Sequence, residues 1–229
     1  SGMTTDGAGV GARFLSVQNQ LSKLCRDAGR DPAGLTLVAV SKNASVRDAI
    51  AAVLAGARDL GENRVQEMLA KQQGFSDAGV TQPRWHLIGT LQTKKARQIA
   101  GKTVLVHSLD RPELAVELGK RSVALGITTD VLMQFNIARE PSKHGYDVEE
   151  AESALEQCVS TPGLAVRGIM VMAPLAGGPG KARETFEAAR ALFDRLRSIG
   201  LADPARFNQL SMGMSGDVAE AIRAGATIV

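Results

Sequence analysis

Lys42 follows the apolar run Leu35–Val40 (LTLVAV) with only Ser41 between them. A near-continuous apolar run bounded by Gly34 and Ser41 has the form of a strand buried on both faces. The lysine ammonium then falls at a strand end, beside a core and close to water. Desolvation there lowers a lysine pKa toward neutrality and leaves a free amine able to condense with an aldehyde. A lysine snorkelling to the rim of a sheet looks the same, and position alone leaves both readings open. The second stretch with chemistry in it is Ser211-Met-Gly-Met-Ser-Gly-Asp217, where Ser211 and Ser215 bracket Gly213 and Met214 ahead of a helix. Backbone N–H groups in such a turn, with glycine permitting close approach, suit a phosphate. Helix capping by Ser215 or Asp217 is the plainer use, and the two are compatible.

Other polar residues are less telling. His86 alternates with Trp85 and Leu87, so it either faces a pocket or is a satisfied core histidine. Asn63 and Asn136 fall at strand ends, where asparagine can hydrogen-bond a ring substituent or simply form a turn. Three histidines without neighbouring acidic or cysteine ligands in the sequence argue against a metal site. Met170, Met172, Met212 and Met214 read as packing.

These residues need elements to hold them. Val10, Phe14, Val17, Leu21 and Leu24 recur at helical spacing and predict an opening helix that ends near Gly29. Strands and helices then alternate to the end of the chain. The strands are expected at 35–40, 58–60, 85–88, 104–107, 130–136, 164–171 and 207–210, with 227–229 beginning an eighth. Helices are expected over 45–54, 63–73, from Asp110-Arg-Pro112 onward, 148–159, 181–199 and 215–224. Ser45 and Asp110 are the expected caps, and Pro112 takes an early helical position. Strict alternation implies a parallel sheet. Eight strands closing on themselves, a (β/α)8 barrel, is the simplest solution, with a doubly wound open sheet as the alternative. No GxGxxG or GxxxxGK[ST] turn follows any strand, which counts against a nucleotide-binding open sheet. In a barrel the chemistry sits at the C-terminal ends of the strands, where Lys42, Asn63, Asn136 and the 211–215 stretch all fall.

Composition narrows the class. The chain has 229 residues, 44% hydrophobic and 22% charged, the balance of an ordinary globular protein. That length suits one barrel. Lys and Arg number 27 against 24 Asp and Glu, and they are dispersed. A nucleic-acid partner needs a clustered basic face, so none is expected. No apolar run approaches the ~20 residues of a membrane span. Cys25 and Cys158 lack any paired or metal-ligand spacing and fit a reduced, cytoplasmic setting. Ser1-Gly2 before Met3 reads as the scar of a cleaved tag. Residues 1–9 are taken as a flexible tail and 10–229 as the barrel.

In these segments the chain resembles the pyridoxal phosphate homeostasis proteins, single-domain relatives of the alanine racemase barrel. The matching segments are Val38-Ala-Val-Ser-Lys42, Gly61-Glu-Asn63 with Gln66-Glu67, and Trp85-His-Leu-Ile-Gly89 with Leu91-Gln92. To these are added Asn136 through Lys143-His-Gly145, Arg167-Gly-Ile-Met170, and Leu210-Ser-Met-Gly-Met-Ser215 with Asp217. Together they run along nearly the whole barrel in the family's order. The resemblance implies pyridoxal 5′-phosphate (PLP) held as a Schiff base on Lys42, with Ser211, Gly213, Met214 and Ser215 around the phosphate. It makes Asn63, His86 and Asn136 pocket-lining positions. It further implies a role in intracellular vitamin B6 homeostasis without a dedicated reaction or catalytic residue, and PLP-dependent apoenzymes as possible recipients; a monomer is expected because the sequence shows no obvious exposed apolar face. The alternative is a PLP-dependent racemase of weak or vestigial activity. That chemistry needs a second base opposite the lysine, and the single tyrosine, Tyr146, lies after the fifth strand. A Schiff-base aldolase fits less well, because strands five and six end in Asn136 and Ala173-Pro174 without rim acids. In the family the eighth strand continues as Arg-x-Gly-Thr-x-x-Phe-Gly, whereas this sequence stops at Val229. A chain truncated there is expected to bind PLP weakly.

Overall fold

The computed structural model describes residues 7–41, 44–141 and 144–229. Seven strands form one parallel sheet: β1 (Val38–Val40), β2 (Asp59–Glu62), β3 (Arg84–Leu87), β4 (Leu105–Leu109), β5 (Thr129–Phe135), β6 (Leu164–Val171) and β7 (Gln209–Met212). They lie side by side in chain order. An order without reversal means that every crossover steps the same way round, so the sheet curls. The doubly wound alternative requires a switch point, and this order has none.

The two edges of the curled sheet meet at the last described residues. Thr36 N donates to Thr227 O at 2.8 Å, and Val229 N donates to Thr36 O at 3.0 Å. On the other side Met212 N donates to Ile228 O at 3.2 Å. Ile228 thus bridges in parallel to both Thr36 and Ser211.

Around the sheet, in chain order, run α1 (Gly7–Asp27), α2 (Val46–Leu54), α3 (Val65–Asp77), α4 (Ala96–Ile99), α5 (Pro112–Ala124), α6 (Ala151–Val159), α7 (Gly178–Ser198) and α8 (Val218–Ala224). Local chemistry explains several starts. The Ser45 side chain accepts from Asp48 N and opens α2. Pro112 starts α5, as its fixed φ favours. Asp110 does not cap that helix, contrary to expectation. The capping position belongs to Arg111, and the Asp110 carboxylate instead accepts from the Arg111 guanidinium at 2.6 Å. Helix α1 begins at Gly7, inside the segment expected to be a flexible tail. A short 3-10 turn over Thr93–Lys95 and α4 occupy a stretch to which the pattern assigned no element.

The alternation of strand side chains sorts the core into two layers. Leu60, Leu87, Val106, Val131, Met133, Ile169 and Leu210 pack outward against helix residues such as Met68, Leu118, Leu155 and Phe186. Val38, Leu105, Leu132, Met170 and Ile228 form a separate buried cluster within the curl. Burying both faces is why the strands read as apolar runs rather than as an alternating pattern. Leu21 and Cys25 of α1 join Ile222 of α8 in a third cluster beside the end of the chain.

Candidate functional site

A parallel sheet in chain order brings all its C-terminal strand ends to one rim. Ser41, directly before Lys42, follows β1 there and is fully buried. Its hydroxyl donates to Glu62 at the end of β2, and its carbonyl accepts from Lys71 Nζ of α3 at 2.6 Å. Lys71 also forms an ion pair with Glu62, and both side chains are buried. The backbone leading into Lys42 is thus clamped by a hydrogen-bonded buried pair. Lys42 itself lies outside the described residues, as does Lys143.

Across the rim, β7 delivers Ser211, and the loop after it holds the remaining expected phosphate contacts. Gly213 has φ +100°, and a Cβ there would stand 2.6 Å from the Ala221 Cβ of α8. Only glycine suits that turn. It presents the Met214 N–H, which donates to Asp217 Oδ1 at 2.6 Å. Asp217 sits at the capping position of α8, but its side chain makes no capping bond within the helix. Met214 and Ser215 are exposed.

His86 is buried within the curl and does not stand alone. Its Nε2 lies 2.8 Å from Asp59 Oδ1 of β2, and its Nδ1 lies 2.8 Å from His107 Nε2 of β4. His107 Nδ1 in turn lies 3.0 Å from Ser211 Oγ. His86 therefore reaches Ser211 through a second histidine. Burial, followed by the neighbouring His86, holds the His107 pKa well below the usual histidine value. Sequence reasoning noted His107 only as a strand end and missed Asp59. No local signal marks them: only the strand register, which sets Asp59 opposite Arg84 and Gly61 opposite His86, brings Asp59 to His86.

The asparagines divide. Asn136 spends its amide on its own loop, donating to Glu140 O at 2.8 Å and accepting from Glu140 N at 3.2 Å. That is turn formation, although Asn136 also lines a small cavity with Gln134, His144 and Met172. The backbone of Asn63 presses against Gly89, where any Cβ would meet Asn63 O at 2.2 Å. Gly89 thus lets the loop after β2 lie flat against the end of β3. Tyr146 is buried, with its hydroxyl 3.7 Å from Cys158 Sγ. Burial, with Cys158 next, raises its pKa well above the usual phenol value. A phenol so placed is a poor proton acceptor for a substrate at the rim.

PLP brings an aldehyde, an aromatic ring and a phosphate monoester. The residues present fit such a group. The Met214 N–H, on a glycine turn beside the Ser211 hydroxyl, donates to a side-chain oxygen of Asp217, a bond that a phosphate oxygen would replace.

Known proteins share this sequence pattern and fold. The family described as "Alanine racemase, N-terminal domain" matches residues 17–229. A pyridoxal phosphate homeostasis protein of Aquifex aeolicus is 38% identical over 218 residues, covering 95% of this chain and 92% of its own length. The protein of that name from Escherichia coli K12 is 35% identical over 223 residues, covering 96% and 92% respectively. Among solved structures, PipY of Synechococcus elongatus with PLP bound superposes with a TM-score of 0.83 at 33% identity. That match covers 96% of this chain and 95% of PipY. Alanine racemase of Corynebacterium glutamicum, at 16% identity and a TM-score of 0.61, shares the fold, and the match covers 52% of that protein. From residue 17 onward the chain belongs to the alanine racemase N-terminal-domain family and, within it, to the pyridoxal phosphate homeostasis proteins.

Proposed function

We propose that this chain holds pyridoxal 5′-phosphate as a Schiff base on Lys42 and serves intracellular vitamin B6 homeostasis rather than a dedicated reaction. The observation that carries this reading is the arrangement of the rim. A glycine turn beside the Ser211 hydroxyl follows β7, and residues 227–229 link β7 to the segment leading into β1. An aldehyde phosphate needs an amine and an anion cup, and Lys42 follows Ser41 directly in sequence. When bound, the cofactor supplies an electrophilic carbon that a neutral amine captures reversibly. The chain's own residues bind and orient. Ser211, Gly213, Met214 and Ser215 surround the phosphate, the clamp of Ser41, Glu62 and Lys71 fixes the approach to Lys42, and Asn63, His86 and Asn136 line or support the pocket.

Residues 227–229 act as the eighth strand of a (β/α)8 barrel. Their hydrogen bonds to both sheet edges support this. Racemase activity is disfavoured by the burial of Tyr146. PLP-dependent apoenzymes are the proposed recipients. A cytoplasmic location is supported by two unpaired, buried cysteines. Among the described residues no helix is long and apolar enough to cross a membrane. The exposed large apolar residues are spread over α1, α2, α5, α6 and the rim loops, and we propose a monomer, which light scattering on the purified protein tests. The functional reading is tested by an absorbance scan with added PLP. A long-wavelength band is expected for the wild type and is lost in Lys42→Ala; a band that survives the substitution rejects the reading.

A further inference from the structure

Asp59, His86, His107 and Ser211 make one unbroken hydrogen-bonded chain from β2 to β7, with links of 2.8, 2.8 and 3.0 Å. Asp59 and His86 are 8% and 2% exposed, and His107 and Ser211 are 1% and 8% exposed. At its far end Asp59 and Arg84 line a cavity of about 330 Å³ with Arg58, Thr36 and Gln18 of α1. Asp59 stands at the first position of β2 and Ser211 near the end of β7. The chain therefore runs through the interior from one end of the sheet to the rim.

Proton bookkeeping gives this chain a direction. An ionised Asp59 can only accept, so His86 Nε2 carries the hydrogen. In a neutral imidazole Nδ1 of His86 is then an acceptor, and His107 Nε2–H must donate to it. His107 Nδ1 is left as an acceptor and takes the single hydrogen of Ser211. In this state Ser211 turns only lone pairs toward the rim. A phosphate dianion offers only acceptors, so the two repel. One added proton on His86 reverses every link beyond it. His86 then donates at both nitrogens, His107 Nδ1–H donates to Ser211 Oγ, and the Ser211 O–H is released to point outward. No bond other than N–H and O–H changes, and the only reagent is one proton.

We propose that Asp59, His86 and His107 are positioning residues that set the direction of the Ser211 hydroxyl, so that phosphate binding at the rim takes up about one proton, which enters at Ser211 as its own hydrogen passes to His107 Nδ1 and that of His107 Nε2 passes to His86 Nδ1. The proposal rests on the reading of Ser211 as a phosphate contact. The groups that face His86 are compatible with it. Asp59 lies on β2 and accepts from His86. Arg84 Nε, 3.3 Å from Asp59 Oδ1, supports the ionised carboxylate. His107 on β4 faces only His86 and the Ser211 hydroxyl, whereas His86 faces the Asp59 carboxylate, so the added proton is placed on His86. From β1, β5 and β6 the interior cluster brings Val38, Leu132 and Met170, none of which titrates. The charged residues Asp130 and Arg167 are paired with each other at 3.1 Å.

The test uses pyridoxine 5′-phosphate, which has no aldehyde and so keeps lysine chemistry out of the proton count. Its binding is measured by titration calorimetry in two buffers of different ionisation enthalpy, at a pH where free phosphate is the dianion. The wild type is expected to take up about one proton, with affinity falling about tenfold per pH unit wherever the free protein lacks that proton. Ser211→Ala has no hydroxyl to turn and is expected to lose the uptake. Asp59→Asn can donate to His86 Nε2, which sets the outward-pointing state without any added proton, so its binding is expected to become independent of pH. Should Asp59→Asn not fold, imidazole ¹⁵N shifts of the wild type decide, because ligand must move His107 from the Nε2–H to the Nδ1–H tautomer. Binding without uptake, equal uptake in Ser211→Ala, unmoved ¹⁵N shifts, or a ³¹P shift marking a protonated bound phosphate overturns the relay. Absence of any binding would instead overturn the proposed function on which it rests.

Discussion

Cys158 sits behind β5 with no exposed surface, against the hydroxyl of Tyr146. Burial pushes its thiol pKa up to about 11, against a partial lowering by the Tyr146 hydrogen bond. A raised folded-state value means that the native protein keeps a proton which the unfolded chain gives up. The stabilisation is fully present below the ordinary thiol pKa and is lost as pH rises through the folded value, a swing of about 3 kcal/mol. Tyr146 shifts in the same direction. Urea unfolding of the wild type between pH 8 and 11 should therefore show a steep loss of stability, and Cys158→Ala should flatten it; parallel curves would contradict the assignment. At this scale the sequence was informative wherever a residue type is rare in its setting, as with a lysine ending an apolar run or a glycine between two hydroxyls. It was silent on Asp59 and His107. Each is ordinary in its own strand, and only the register of neighbouring strands turns them toward one another.

The ends of β1 and β2 and the middle of α3 act together at the clamp beneath the rim. Glu62 and Lys71 repay their desolvation only as a pair, because the alternative is an isolated buried charge. Lys71→Met is expected to destabilise the protein by about 3–5 kcal/mol in urea unfolding. Adding Glu62→Gln should recover much of that loss, because no charge is then left buried. A single substitution costing under about 1 kcal/mol would show that the pair is not structural. Elements of this kind were legible as types more than as limits. Strand β6 falls where its apolar run predicts, whereas β7 runs Gln209–Met212 instead of stopping at Leu210. The difference arises because Ser211 and Met212 hydrogen-bond to neighbouring backbone, a partner that local composition does not reveal. Asp110 failed as a cap for a similar reason. The adjacent Arg111 offers its carboxylate a charge-assisted bond, which is stronger than a neutral cap.

For the whole molecule, the curl of the sheet depends on what joins its edges. Ile228 belongs to the interior cluster and bridges both β7 and the segment before β1. Ile228→Ala removes that plug, and a loss of about 2–5 kcal/mol in unfolding free energy is expected; a loss within 0.5 kcal/mol would mean that the edges are held elsewhere. Alternation of strand and helix made the parallel sheet readable from the sequence, and closure into a barrel was its simplest arrangement. An eighth strand starting at 227–229 was also expected, but its pairing with both edges was not, since three residues are too few to set a register. The rim exists because the sheet curls, and the central claim is that the cofactor is captured there by one particular amine. Borohydride reduction of the PLP-loaded protein, followed by proteolysis and mass spectrometry, tests this most directly. The pyridoxyl group is predicted on Lys42; finding it on Lys71, Lys143 or any other lysine, or on none, would contradict it.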